Sequence, residues 1–297
     1  MKLARFLHSG REQLGLVKEQ RIIPIPAADF SDSMPDLLCR LNALKPRLEQ
    51  LEKNSKSSLN MDQVTLLAPI PQPEKFIGVG LNYADHVAET GLETPEFPTL
   101  FNKQSSCVTG PGAPIYRPNI SDKLDYEGEL ALVIGQYCRN VSEADAPKAI
   151  AGYTIVNDVS VRDWQIKSPT WTLGKSFDSH GPMGPWIVTS DSLDPHNLEL
   201  RTWLNDELRQ HSNTRNLIFN CYQLVATLSS VCTLKPGDVI ATGTCSGVGV
   251  KMKPRGYMKP GDQVTIEIEG IGRLSNPVQQ EPQSNSFISQ TPPVLNP

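Results

Sequence analysis

No C-x-x-C pair occurs anywhere in the chain; its six cysteines, Cys39, Cys107, Cys138, Cys221, Cys232 and Cys245, are scattered. That excludes a zinc ribbon and a thioredoxin-type site, and it suits reduced thiols. Also missing is an uninterrupted apolar run of the ~18 residues a membrane helix needs. No basic stripe offsets the formal net charge of -4, which argues against general binding to nucleic acid or to an anionic membrane. The N-terminus, Met1 to His8, has no apolar stretch with a small-residue cleavage site and no room for a transit peptide, so a cytoplasmic protein is expected, with a mitochondrial one open in a eukaryote. The glycine-rich stretch Ala241 to Gly249 is no Walker loop, since no G-K-[ST] follows it at the right spacing, and Gly78-Val79-Gly80 lacks a third glycine, so no nucleotide cofactor is expected. Ser246 is not in a G-x-S-x-G elbow, because Thr244 and Val248 stand where its glycines should be.

What is present is ordinary in bulk. The 297 residues are 38% hydrophobic and 20% charged, enough for one large domain or two unequal ones. Residues 1–68 read as a small N-terminal domain, with a helical run carrying Leu37, Leu38, Leu41, Leu44, Leu48 and Leu51, which Pro46 is expected to kink or split. From 69 to 278, Pro and Gly punctuate short runs rich in Val, Ile and Thr, which predicts a β-rich α+β fold. Strands are expected near 75–79, 126–134, 152–157, 186–189, 198–204, 238–242 and 262–268, and helices near 82–90, 142–150 and 214–230. Lys-Pro-Gly-Asp occurs twice, at 235–238 and 259–262, as two turns that each launch a strand. Residues 279–297 are polar and Pro-rich and are expected to form a flexible tail.

Two acids stand where a buried strand should carry apolar side chains. In Asp125-Tyr126-Glu127-Gly128-Glu129-Leu130-Ala131-Leu132-Val133-Ile134, Glu127 and Glu129 share a strand face. Like charges that close raise one pKa unless a cation lies between them. A hard divalent metal at the strand's edge explains the pair; two unrelated glutamates at a solvated strand end is the alternative. Asp158, which ends the apolar run 152–157, could complete a three-carboxylate site or simply cap the next helix.

Four further groups could carry chemistry. His86 and Glu89, three apart on an expected helix, could form an acid/base dyad or an exposed surface pair. Arg162 and Gln165 offer donors to a carboxylate or carbonyl. Lys175, after Gly174, is either an electrophilic stabiliser or a solvated loop lysine. In Thr242-Gly243-Thr244-Cys245-Ser246-Gly247, the glycines suggest close backbone approach to a ligand, with the Thr244 hydroxyl as an oxyanion donor; a tight loop is the plain alternative. Cys245 reads as a buried, inert thiol. His8, His180, His196 and His211 lack metal-ligand spacing.

Together the segments G-L-N-Y-A-D-H-V-A-E (80–89), D-Y-E-G-E-L-A-L-V-I-G (125–135), N-D-V-S-V-R-D-W-Q (157–165), G-K-S-F-D (174–178) and G-D-V-I-A-T-G-T (237–244) resemble the fumarylacetoacetate hydrolase family. The resemblance covers about residues 67–278. It implies a mixed β-sandwich roll behind a small N-terminal domain, commonly a homodimer. It also implies Mg²⁺, with Mn²⁺ or Ca²⁺ as alternatives, on Glu127, Glu129 and Asp158; His86, Glu89 and Lys175 as catalytic groups; and Arg162, Gln165, Thr244 and Tyr83 as substrate contacts. The implied reaction passes through a stabilised enolate of a small keto acid. Hydrolytic C–C cleavage of an acylpyruvate comes first; oxaloacetate tautomerisation or decarboxylation is the alternative, and a non-catalytic metal-stabilised binding protein is the reading from another class. Cys245 replaces the proline of the family's T-G-T-P-x-G-V-G loop, so a looser loop is expected.

Overall fold

The computed structural model describes residues 1–55 and 57–283. Its centre is the strand Gly128–Ile134, with every residue buried. A strand with both faces covered must be apolar throughout, which explains the Leu-Ala-Leu-Val-Ile run. It lies in a 12-stranded sheet, flanked by the antiparallel strands Ile150–Asn157 and Val239–Ala241; the latter pairs in parallel with Phe76–Gly80. A five-stranded sheet, containing Glu199–Leu204, Glu207–Asn213, Gln263–Ile268, Gly272–Gln280 and Ile115–Arg117, completes the β architecture together with a two-stranded ribbon of Leu124–Asp125 and Ser160–Val161. Leu130, Leu132 and Ile134 share one core cluster with Leu200, Ile266 and Leu274 of the five-stranded sheet.

The N-terminal strands extend the large sheet: Lys2–His8 pairs with Gly181–Thr189 through Lys2 opposite Val188 and Leu3 opposite Ile187. The leucine run forms two helices, Met34–Cys39 and Leu41–Asn54, and the break falls at Arg40 rather than at Pro46. Pro46 is carried inside the second helix, whose buried Leu41, Leu44 and Leu48 hold it against the core.

Two predicted helices are shorter than expected. Around 142–150 only the 3₁₀ turn Ala146–Ala149 forms; Pro147 supplies no N–H there, and Ile150 already belongs to the next strand. The third helix begins at Cys221, not Thr214, because Asn220 caps it by accepting from the N–H groups of Tyr222 and Gln223. The two Lys-Pro-Gly-Asp turns form as expected: Gly237 and Gly261 take φ of 88° and 96°, and Asp238 and Asp262 accept from the N–H of Lys235 and Lys259. Gln279 and Gln280 finish the strand Gly272–Gln280 instead of beginning a tail, and residues 284–297 lie outside the described residues. Among the described residues no helix is long and apolar enough to cross a membrane.

Candidate active site

Register assembles the site. Gly128 pairs with Asn157, so Glu127, just ahead of one strand, stands beside Asp158, just past the other; the Asp158 N–H donates to the Glu127 carbonyl at 2.9 Å. Ala241 is in register with both Ala131 and Gly78. The loops leaving Val239–Ala241 and Phe76–Gly80 therefore emerge at the same end of the sheet. That is where open sheets place their ligand crevices.

Glu127, Glu129 and Asp158 are all buried, with a ligand oxygen from each lying within 4.8 Å of the others. The solvated strand end is excluded. Lys175, itself buried, spans two of the acids, its Nζ lying 2.7 Å from Glu127 Oε2 and 2.6 Å from Asp158 Oδ2. Lys103 Nζ lies 2.7 Å from Asp158 Oδ1, and Arg162 Nη1 lies 2.7 Å from Glu127 Oε1. Among the described residues no cation pairs with Glu129; it accepts the Gly243 N–H at 2.8 Å. Gly243 presents that N–H from φ 104°, which favours glycine.

The pKa directions follow from this asymmetry. Burial pushes Glu127 up, but Lys175 and Arg162 outweigh it and hold its carboxyl well below the usual range. Glu129 is driven well above that range by burial and by the charges of Asp158 and Glu127. Burial opposes the charge on Lys175, yet Asp158 and Glu127 keep its pKa raised. Three buried oxygen donors, one of them short of positive charge, fit a hard divalent cation.

Glu127 and Glu129 form part of the wall of a cavity of about 670 Å³ that also exposes His86, Arg162, Gln165, Lys175 and Thr244. Trp171 forms another part of the wall and packs so closely on Gly80 that a Cβ there would lie 2.3 Å from its ring. The helix Ala84–Thr90 carries His86. Its Nδ1 is 3.0 Å from Glu89 Oε2, and Glu89 Oε1 accepts the Gly247 N–H at 3.0 Å. Burial would raise the Glu89 pKa, but these two hydrogen bonds outweigh it and lower it. An ionised Glu89 fixes the proton on Nδ1 and leaves Nε2 as the basic nitrogen.

Arg162 donates from Nε to Asp125 Oδ2 at 2.8 Å and from Nη1 to Gln165 Oε1 at 3.0 Å, while its Nη2 is buried without a hydrogen-bond partner. The Gln165 carbonyl is thus occupied, and its NH₂ group is the donor left for a ligand.

Two expected contacts change. Tyr83 is fully buried in the core and does not line the cavity. Thr244 lines it, but its hydroxyl donates to the Gly128 carbonyl at 3.0 Å and accepts from Gln210 at 2.8 Å, so it braces the loop. Nor is the loop loose at Cys245. That residue is fully buried, its carbonyl accepts from Gln210 at 3.0 Å, and bonds from Gly243, Gly247 and Gly249 to Glu129, Glu89 and Asp125 pin the rest. Burial pushes the Cys245 thiol up, as an inert cysteine requires.

Three residues escaped the sequence reading: Lys103, Asp125 and Gln210. Asp125, fully buried, accepts from Arg162 and from the N–H groups of Tyr126, Gly249 and Val250. It sits inside the acidic motif, where a third acid one strand step before Glu127 was its signal. Lys103 and Gln210 gave none, because their partners lie tens of residues away in sequence.

The description "Fumarylacetoacetate (FAA) hydrolase C-terminal" matches residues 75–279, and "Rv2993c-like, N-terminal" matches residues 1–69. The chain belongs to the fumarylacetoacetate hydrolase family. Within it, the chain is 42% identical over 292 residues to an oxaloacetate tautomerase, fahd2, mitochondrial, of Xenopus laevis, covering 94% of this chain and 90% of that one. A fumarylacetoacetate hydrolase of Exiguobacterium antarcticum superposes with a TM-score of 0.83 at 36% identity, over 95% of this chain and 100% of that chain. Maleylpyruvate hydrolase of Sphingobium sp. SYK-6, solved with manganese(II) and pyruvate, gives a TM-score of 0.80 at 32% identity, over 94% and 99%. This member of the fumarylacetoacetate hydrolase family is therefore an enzyme of the group that holds these hydrolases and the tautomerase.

Proposed function

We propose that this protein interconverts the keto and enol forms of oxaloacetate, through an enolate stabilised at a divalent cation, Mg²⁺ or Mn²⁺, held by Glu127, Glu129 and Asp158. One observation carries the reading: in the cluster of three buried acids, two of them spanned by Lys175, Glu127 and Glu129 line the same cavity as a His86 that Glu89 orients. A purely structural cation would need the acids but not the dyad. The likeness to the Xenopus laevis tautomerase over nearly the whole chain supports oxaloacetate.

A bound divalent ion supplies Lewis-acid stabilisation of the negative charge that develops on the substrate's 2-oxo oxygen. The chain's residues do the rest. The buried, unpartnered Nη2 of Arg162 and the Gln165 amide hold the substrate carboxylate. Lys175, two of whose N–H groups face acids, keeps a third for the developing oxyanion. His86 Nε2 takes the proton from the carbon next to the carbonyl and returns it.

A second reading, hydrolytic cleavage of an acylpyruvate, is favoured by the cavity, whose roughly 670 Å³ suits a ligand larger than a four-carbon acid. There His86 takes its proton from water, which attacks the distal carbonyl. We further propose that the protein acts as a homodimer on free small molecules, without nucleic acid or membrane.

Assays with Mg²⁺ or Mn²⁺ on oxaloacetate enol and on acylpyruvates test the reading. Turnover of at least one is expected, lost on chelation and regained on adding metal. No turnover of either, with metal bound, would exclude an enzyme of this chemistry.

A further inference from the structure

The cavity wall is more positive than the protein. Lys123, Arg162, Lys175, Lys251 and Arg255 line it against Glu127, Glu129 and Asp163, five cations to three carboxylates, in a chain of net charge -4. Most of these charges are engaged. Arg162 and Lys175 serve the buried acids, Lys251 acts on Glu89, and Asp163 accepts the Ser121 hydroxyl. Among the described residues, no ion pair involves Lys123 or Arg255.

Their backbones are built into one wall. The Arg162 N–H donates to the Lys123 carbonyl at 3.0 Å, and Met258 donates to the carbonyl of the next residue, Leu124, at 2.8 Å. Gly256, beside Arg255, donates to Gly249 at 2.9 Å, and Gly249 is bound to Asp125. Tyr257, close enough to Arg255 to feel its charge, adds a hydroxyl to the same wall. Two cations on laced segments, facing a cavity with room beyond the reacting end of a 2-oxo acid, make a second anion subsite.

We propose that Lys123 and Arg255, with Tyr257, bind a second carboxylate of the substrate, remote from the 2-oxo acid group, so that the enzyme selects dicarboxylic 2-oxo acids over monocarboxylic ones. The proposal rests on the 2-oxo acid reading of the site and names what lies beyond the reacting atoms. Both cations are exposed at the cavity wall, so the preference is modest and weakens with added salt.

The test is calorimetric binding, with Mn²⁺ present, of 2-oxoglutarate and 2-oxopentanoate, which share a chain length and differ in the second carboxylate. The intact enzyme is expected to prefer 2-oxoglutarate about three- to tenfold. Arg255→Ala and Lys123→Ala each reduce that preference, and together they erase it, with 2-oxopentanoate affinity unchanged. Equal binding of both ligands, or a preference untouched by both substitutions, overturns the subsite while leaving the 2-oxo acid site standing. Failure of both ligands to bind overturns the two together.

Discussion

His86→Ala lowers kcat about 10²- to 10⁴-fold, the range for loss of a positioned acid/base group, while the divalent ion still binds. The separation of the two effects is the informative part. His86 hydrogen-bonds to Glu89 and lines the cavity, and among the described residues it forms no ion pair with the three buried acids, so its loss leaves the carboxylate cluster intact. Glu89→Gln has a smaller effect of the same kind, because the amide no longer fixes the proton on Nδ1 but can still bond to His86. The measurement is kcat on the substrate that proves active, beside Mn²⁺ affinity on the same samples. Equal falls in kcat for His86→Ala and for a control substitution away from the cavity would remove His86 from the chemistry.

Lys175→Met destabilises the metal-free protein by about 3 to 5 kcal/mol, because removing one partner of a buried charge cluster leaves its three acids against Lys103 and Arg162 alone. Here Glu127 and Asp158 both lose the ammonium at 2.7 and 2.6 Å, with Glu129 already short of positive charge. A divalent ion supplies the missing charge, so saturating Mn²⁺ recovers most of the loss. Thermal unfolding with chelator and with Mn²⁺ reads this as a larger metal-induced rise in Tm for the variant than for the parent. Activity stays low even when stability returns, since the oxyanion donor is gone. A variant as stable as the parent under chelation would mean that Lys175 does not balance the acids.

Much of this was legible along the chain, for a physical reason. Glu127 and Glu129 announce themselves because charge in an apolar strand needs compensation, and that rule operates within five residues of sequence. His86 with Glu89 is legible for the same reason of local spacing. The strands near 128–134, 150–157 and 263–268 follow from apolar runs bounded by turns. What sequence could not supply was long-range pairing. Lys103 reaches Asp158 across 55 positions, and Gln210 reaches Gly128 across 82, with no local mark on either residue. The same gap misplaced Tyr83, whose neighbourhood in the motif suggested the cavity while its ring faces the core. Cys245 misled differently: the loss of a proline suggested slack, but side-chain and backbone hydrogen bonds, rather than proline, hold that loop.

The central claim is that Glu127, Glu129 and Asp158 hold one divalent ion, and titration of the metal-free protein with Mn²⁺, followed by electron paramagnetic resonance, tests it most directly. One ion per chain is expected for the parent and for His86→Ala, with binding weakened at least tenfold in Glu127→Gln, Glu129→Gln and Asp158→Asn, as for loss of one of three charged ligands. Mn²⁺ affinity unchanged in all three carboxylate variants, with the fold intact, would contradict it.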